Sequence, residues 1–148
     1  MKSTPLRFAG LLLMAGAISA GAQSKTSAQH FAGIWNAEFQ GKTFATLTLR
    51  EKDNQLTGSM TGANINLDKN GNLTSAEKSG SESKIADAKL AGDTLSFDTK
   101  DQDSGEVMNW KMQVSSNSDG ELLLVIPGRH VGIPTPRPWK IVREVPHP

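Results

Sequence analysis

The sequence predicts an all-β protein, a single up-and-down antiparallel β-barrel of about eight strands. Three observations predict it. From Gly33 onward, apolar residues alternate with polar ones in almost every segment, a period of two rather than of 3.6. The segments recur about every 8–12 residues with turn residues between them, the spacing of a sandwich or barrel. Finally, strand candidates stand at both ends of the fold, at residues 31–35 and 138–143, and each carries a Trp. Pairing them would close the sheet and remove the open edges that invite aggregation.

Taken in order, Trp35, Ala37 and Phe39 alternate with Asn36, Glu38 and Gln40, and Gly41-Lys42 marks a tight turn. Ala45, Leu47 and Leu49 alternate with Thr46, Thr48 and Arg50 in a Thr-rich strand. Lys52-Asp53-Asn54 turns the chain, and Leu56, Gly58 and Met60 follow on one face. Ile65 and Leu67 predict a short strand that ends at Asp68-Lys69-Asn70-Gly71-Asn72, and residues 73–76 a second short piece. Residues 79–83 are the least apolar stretch and predict a loose loop. Alternation returns at Ala86, Ala88 and Leu90, then Leu95 and Phe97 after the Gly92-Asp93 turn. A loop is expected over 101–105, a strand with Met108, Trp110, Met112 and Val114 inward, and a turn over 115–120. Residues 122–126 form a near-continuous apolar run, as in a strand covered on both faces. Residues 127–138 hold four of the seven prolines, so they predict a stiff connection rather than a central strand. The last strand places Trp139, Ile141 and Arg143 on one face.

The chain of 148 residues is enough for one domain. Residues 1–22 read as a signal peptide. Lys2 and Arg7 precede an apolar run over 8–19, and Ala20-Gly21-Ala22 fits a small-x-small cleavage site. That run is too short to span a bilayer, and no other segment approaches the length needed. The remaining divisions are a flexible lead-in over 23–30, the barrel over 31–144 and a tail over 145–148. The chain has no Cys, hence no disulfide and no Cys for a lipid anchor. The expected location is therefore periplasmic or extracellular, without lipid anchoring. Removing residues 1–22 takes away two of the sixteen basic residues and none of the fifteen acidic ones, leaving a net charge of −1. Such a chain has no global field to attract nucleic acid or an anionic membrane.

Gly33-x-Trp35 on the first strand, with Arg143 on the last, resembles the signature of the calycin superfamily. That group includes lipocalins, fatty-acid-binding proteins and avidins. The resemblance implies a barrel in which Arg143 stacks on Trp35 and closes the ends together. The first three strands are most similar to avidins, through Gly33-Ile34-Trp35, Gly41-Lys42-Thr43-Phe44 and Leu56-Thr57-Gly58. The polar set that would hold biotin does not carry over. Ala37, Lys42 and Met60 stand where avidins place Asn, Ser or Thr, and Tyr, and the chain has no Tyr. Small secreted bacterial proteins of unknown function also resemble the chain, through Leu56-Thr57-Gly58 and the run from Gly92 to Phe97.

No catalytic constellation is visible, and an enzyme is not expected. His30, His130 and His147 do not stand at metal-ligand spacing. No Gly-x-Ser-x-Gly or phosphate loop occurs. Asp68-Lys69-Asn70-Gly71-Asn72 opens like a Ca²⁺ loop, but Leu73 and Ser79 stand where Gly and Glu would be needed, so it reads as a turn. No metal or other cofactor is expected. The stripe Met108, Trp110 and Met112, with Met60, Phe97 and Phe39, holds the candidate ligand-contacting residues, since Met and Trp line adaptable apolar cavities. Plain core filling is the competing reading. Gly33, Trp35 and Arg143 are the candidate barrel-closing residues. Two functions follow: an exported, non-enzymatic barrel that holds a small apolar molecule, or an interaction module that presents its loops to another exported protein.

Overall fold

The computed structural model describes residues 28–125 and 134–145. The expected signal peptide, most of the lead-in, residues 126–133 and the last three residues lie outside them.

Eight antiparallel strands close into one up-and-down barrel, each paired with its sequence neighbours and the last with the first. They are β1 (Gly33–Phe39), β2 (Lys42–Lys52), β3 (Gln55–Leu67), β4 (Leu73–Ala91), β5 (Thr94–Lys100), β6 (Val107–Val114), β7 (Asp119–Val125) and β8 (Trp139–Arg143). A single turn of 3₁₀ helix, Ala28–His30, precedes them. The alternation is the physical cause of the fold. Trp35, Leu47, Leu49, Met60, Leu95, Phe97, Trp110, Met112, Leu122, Trp139 and Ile141 all turn into one core and are at least 94% buried. An eight-stranded barrel has an interior about wide enough for such a filling or for one small ligand.

The tight turns sit one residue from where the sequence pattern placed the first of them. Phe39 pairs with Lys42, so the turn is Gln40-Gly41, and both residues have positive φ (51° and 78°). Asp53-Asn54 joins β2 to β3 in the same way, at 53° and 60°. These are the turns whose twist suits a two-residue hairpin. In β2 the alternation is broken at Phe44, which is an extra residue opposite Ala37 and Glu38. The bulge lets Phe44 and Ala45 both turn inward, and both are buried.

Three further local readings of the sequence differ from the structure. Residues 79–83 are not a loop but part of β4, which runs unbroken for nineteen residues. The two short pieces at 65–67 and 73–76 are the far ends of β3 and β4. Polar composition misled there because this stretch pairs only with β3 and is largely exposed, so nothing apolar is needed on its outer face. A bulge opposite Gly62 accommodates Ser79 and Ser81, whose hydroxyls bond each other at 2.8 Å. The last part of the lead-in is also ordered: Ala28 is fully buried, and its N–H donates to Asn54 Oδ1 at 3.2 Å.

The two ends of the barrel are built differently. One end is plugged by Ala28 and Phe31, both fully buried. Here Trp35 pairs with Arg143 across β1 and β8. The Arg143 guanidinium carbon stands 4.4 Å from the Trp35 ring centroid. Trp35 Nε1 donates to Phe31 O at 2.9 Å, and an Arg143 terminal nitrogen donates to His30 O. Gly33 has φ +133°, and a Cβ there would meet the Arg143 side chain at 3.4 Å, so glycine leaves the room in which the guanidinium lies. Burial pushes the Arg143 guanidinium below its ordinary pKa, yet an arginine stays cationic at neutral pH. Arg143→Met is expected to cost about 1–2 kcal/mol, the size of a partly desolvated cation–π pair. Arg143→Ala should cost more, because it also removes the packed aliphatic stem. Denaturant unfolding of both variants measures the order; equal costs would mean that the stem contributes nothing.

Candidate functional site

At the other end the barrel opens. The β1–β2, β3–β4 and β5–β6 connections gather there, with the end of β7 and the start of β8, as alternation of strand direction requires. β3 leaves the wall after Met60, its last partner in β2 being Leu47. β4 joins β5 only from Ile85 onward. Between those points the two strands pair with each other alone and form an arm. Its tip reaches the segment that leads into β8: Arg137 N–H donates to Gly71 O at 3.0 Å, and Arg137 Nε to Asn70 O at 3.2 Å. Since β8 lies on the far side of the ring from β3 and β4, that contact carries the arm across the mouth. Ala63, Ile65, Leu73 and Ala76 of the arm pack against the core below.

Under the arm is a cavity of about 380 Å³. Met60, Ile65, Met108, Trp110, Leu124 and Trp139 supply its apolar wall. Thr61, Asn64, Ser79, Ser81, Ser83, Asp101 and Asp103 supply its polar rim, and the buried Thr99 belongs to the wall. The indoles of Trp110 and Trp139 stand 5.5 Å apart at 59°, and Phe44 meets Trp139 edge-on at 5.1 Å. This aromatic cluster sets the floor in a geometry that aromatic pairs favour. Trp110 Nε1 donates to Thr99 Oγ1 at 2.9 Å, a buried bond that fixes the ring. Trp139 Nε1 is buried and has no hydrogen-bond partner among the described residues. An unsatisfied buried donor costs about 1–3 kcal/mol.

The six candidate contact residues divide into three groups. Met60, Met108 and Trp110 line the cavity. Phe97 and Met112 lie deeper and are fully buried core. Phe39 borders a separate recess with Leu73, Arg137 and Trp139. Gly33, Trp35 and Arg143 sit at the plugged end, remote from the cavity. Met108 is 38% exposed, which places it on the rim rather than in the core. Reading the sequence missed Trp139, Thr99, Leu124 and the arm residues as cavity wall. For Trp139 a signal was present. It shares an inward face with Arg143, and β8 runs in the same direction as β6, so its first residue stands at the same mouth as Met108.

The acidic turns have structural work. Asp68 Oδ1 accepts from the N–H groups of Asn70 (2.8 Å) and Asn72 (3.0 Å) at the arm's tip. The Asn72 N–H foremost, then that of Asn70, the Asn72 side chain and the charge of Arg137 hold the Asp68 carboxyl below the ordinary aspartate value. Asp101 Oδ1 accepts from Asp103 and Ser104 at 2.7 and 3.0 Å, and is lowered by the same kind of bonds, that from Ser104 first. A carboxyl depressed on folding contributes stability above its unfolded pKa and loses it as pH falls through the folded one. Asp68→Asn is therefore expected to be less stable than wild type at neutral pH. The gap should close as pH drops below the ordinary value of 3.8. Unfolding curves across that range would show it; a gap unchanged by pH would rule out the ionised carboxyl as its source.

Comparison with protein-family models, curated proteins and solved structures gave no match. The fold and the cavity together define a closed eight-stranded antiparallel barrel with one plugged end and one open, arm-covered end. Among the described residues no helix is long and apolar enough to cross a membrane.

Proposed function

We propose that the protein is an exported, non-enzymatic, calycin-like barrel that carries a small, largely apolar molecule in the cavity under the β3–β4 arm. The cavity carries this reading. Its volume of about 380 Å³ falls within the range of roughly 300–1,000 Å³ usual for small-molecule sites. Two indoles and two thioethers supply a large, adaptable apolar contact surface. Non-enzymatic carriage is supported by Asp101, one of the two acids lining the cavity, whose Oδ1 caps its own turn. The pattern of residues 1–22 and the absence of Cys support export. Calycin-like assignment is supported by Gly33, Trp35 and Arg143 at the plugged end, and by strand number and order.

Titration with the neutral fluorophore N-phenyl-1-naphthylamine tests the proposal. Wild type is expected to give a saturable rise in probe emission with energy transfer from Trp110 and Trp139. Met108→Trp, which fills the mouth from an exposed position, should weaken binding at least about tenfold, the equivalent of 1.4 kcal/mol. An unsaturable, nonspecific response in wild type would reject carriage and leave the interaction module as the reading to pursue.

A further inference from the structure

The three tryptophans differ in what their indole N–H groups meet. Those of Trp35 and Trp110 donate within the protein, to Phe31 O and Thr99 Oγ1, both at 2.9 Å. That of Trp139 meets no acceptor among the described residues, although the residue is only 6% exposed and borders the cavity. An indole nitrogen donates and never accepts. Buried groups of this kind are nearly always paired. Two acidic residues, Asp101 and Asp103, stand on the rim, and no Lys, Arg or His is among the described residues that line the cavity. The Asp101 carboxyl, held low by the N–H groups of Ser104 and Asp103, is ionised at neutral pH. These two rim carboxylates disfavour an anionic group placed beside them.

We propose that the cavity takes an uncharged ligand whose apolar body bears one hydrogen-bond acceptor, such as a ketone, ester or amide, and that Trp139 Nε1–H donates to it. This rests on the carrier reading and narrows it, because it excludes free fatty acids and plain hydrocarbons as preferred ligands. The nitrogen has under 1 Å² exposed, so an acceptor carried into the cavity that Trp139 lines meets it only when neighbouring side chains move aside. Met60 and Met108 are the residues able to give way, being unbranched and adaptable.

Matched eight-carbon probes test the proposal: octane, 2-octanone and octanoate, each titrated into the full-length protein at pH 7. Partition alone would favour octane, which water solvates worst. Binding of 2-octanone at least about tenfold tighter than both others is the expected result. In ¹⁵N-labelled wild type, the Trp139 indole proton should move downfield with 2-octanone and not with octane. Trp139→Phe should erase the ketone's advantage while octane binding persists; should that variant fail to fold, the wild-type indole resonance decides. Octane or octanoate binding as tightly as 2-octanone, or an indole resonance that stays still, would overturn this proposal and leave the carrier reading standing. Absence of binding by all three would overturn both.

Discussion

Trp35→Ala is expected to lose about 3–5 kcal/mol of stability, as large aromatic truncations in a core do. Trp35 is fully buried, and its ring serves three partners at once. It fills the plugged end of the barrel, donates to Phe31 O, and gives the Arg143 guanidinium a face to lie on. Truncation leaves a cavity, and it also leaves a half-buried cation without its ring. Denaturant unfolding should show the midpoint falling with little change in slope. The specific share of the stacked pair is separable by a double-mutant cycle on Trp35→Phe and Arg143→Met. Contacting residues couple by more than about 0.5 kcal/mol, whereas distant ones add within that margin. Simple additivity would mean that β1 and β8 are joined by their backbone ladder alone. The ladder is short, three residue pairs between β1 and β8, so the side chains are expected to matter.

The barrel was legible because closure and burial both act on a period of two. Wherever a strand has one wet face, the inward set must alternate, and Trp35, Leu47, Phe97, Met112 and Ile141 do so. Legibility failed where that constraint lapses. The arm half of β4 is paired on one side only, so serines, lysines and glutamates serve in it as well as β-branched residues would. Phe44 was obscured for the opposite reason: a bulge moved an apolar residue inward from an outward position. The buried Ala28 carries no pattern at all, since one small residue in a polar run says nothing of the plug it completes.

Less of the site was legible than of the fold. Inward parity identified Met60, Met108 and Trp110, but parity does not say how far down the barrel a residue lies. Phe97 and Met112 share that parity and fill the core beneath the cavity. Depth comes from register, and register depends on bulges and turn positions that alternation does not encode. The arm itself depends on a tertiary contact between Gly71 and residues 135–137, which no local signal announces.

That contact sets the second large effect. Gly71 has φ +82°, a conformation that L side chains rarely adopt. A Cβ there would lie 1.9 Å from Thr135 O and 3.0 Å from its carbonyl carbon, so the obstacle is backbone and no rotamer relieves it. Gly71→Ala must therefore either strain the turn or part the arm's tip from the segment before β8. The strain alone is of the order of 1–3 kcal/mol, and parting the tip loses the Arg137 N–H bond to Gly71 O. The arm pairs with no other strand between Thr61 and Lys84, so its release need not unfold the barrel. The expected outcome is local. Amide exchange should rise sharply at Arg137 and along the arm, while the protons of β5 and β6 stay protected. Arg137→Ala keeps the backbone bond and loses the Nε bond to Asn70 O and the charge near the exposed Asp68 carboxyl, so it should have a much smaller effect. With N-phenyl-1-naphthylamine bound, Gly71→Ala should speed probe release more than it slows probe entry, because an arm free at its tip no longer holds the mouth closed over an occupied cavity. Exchange that rises equally in β5 and β6 would show that the arm is part of the barrel's cooperative unit and not a cover hinged upon it.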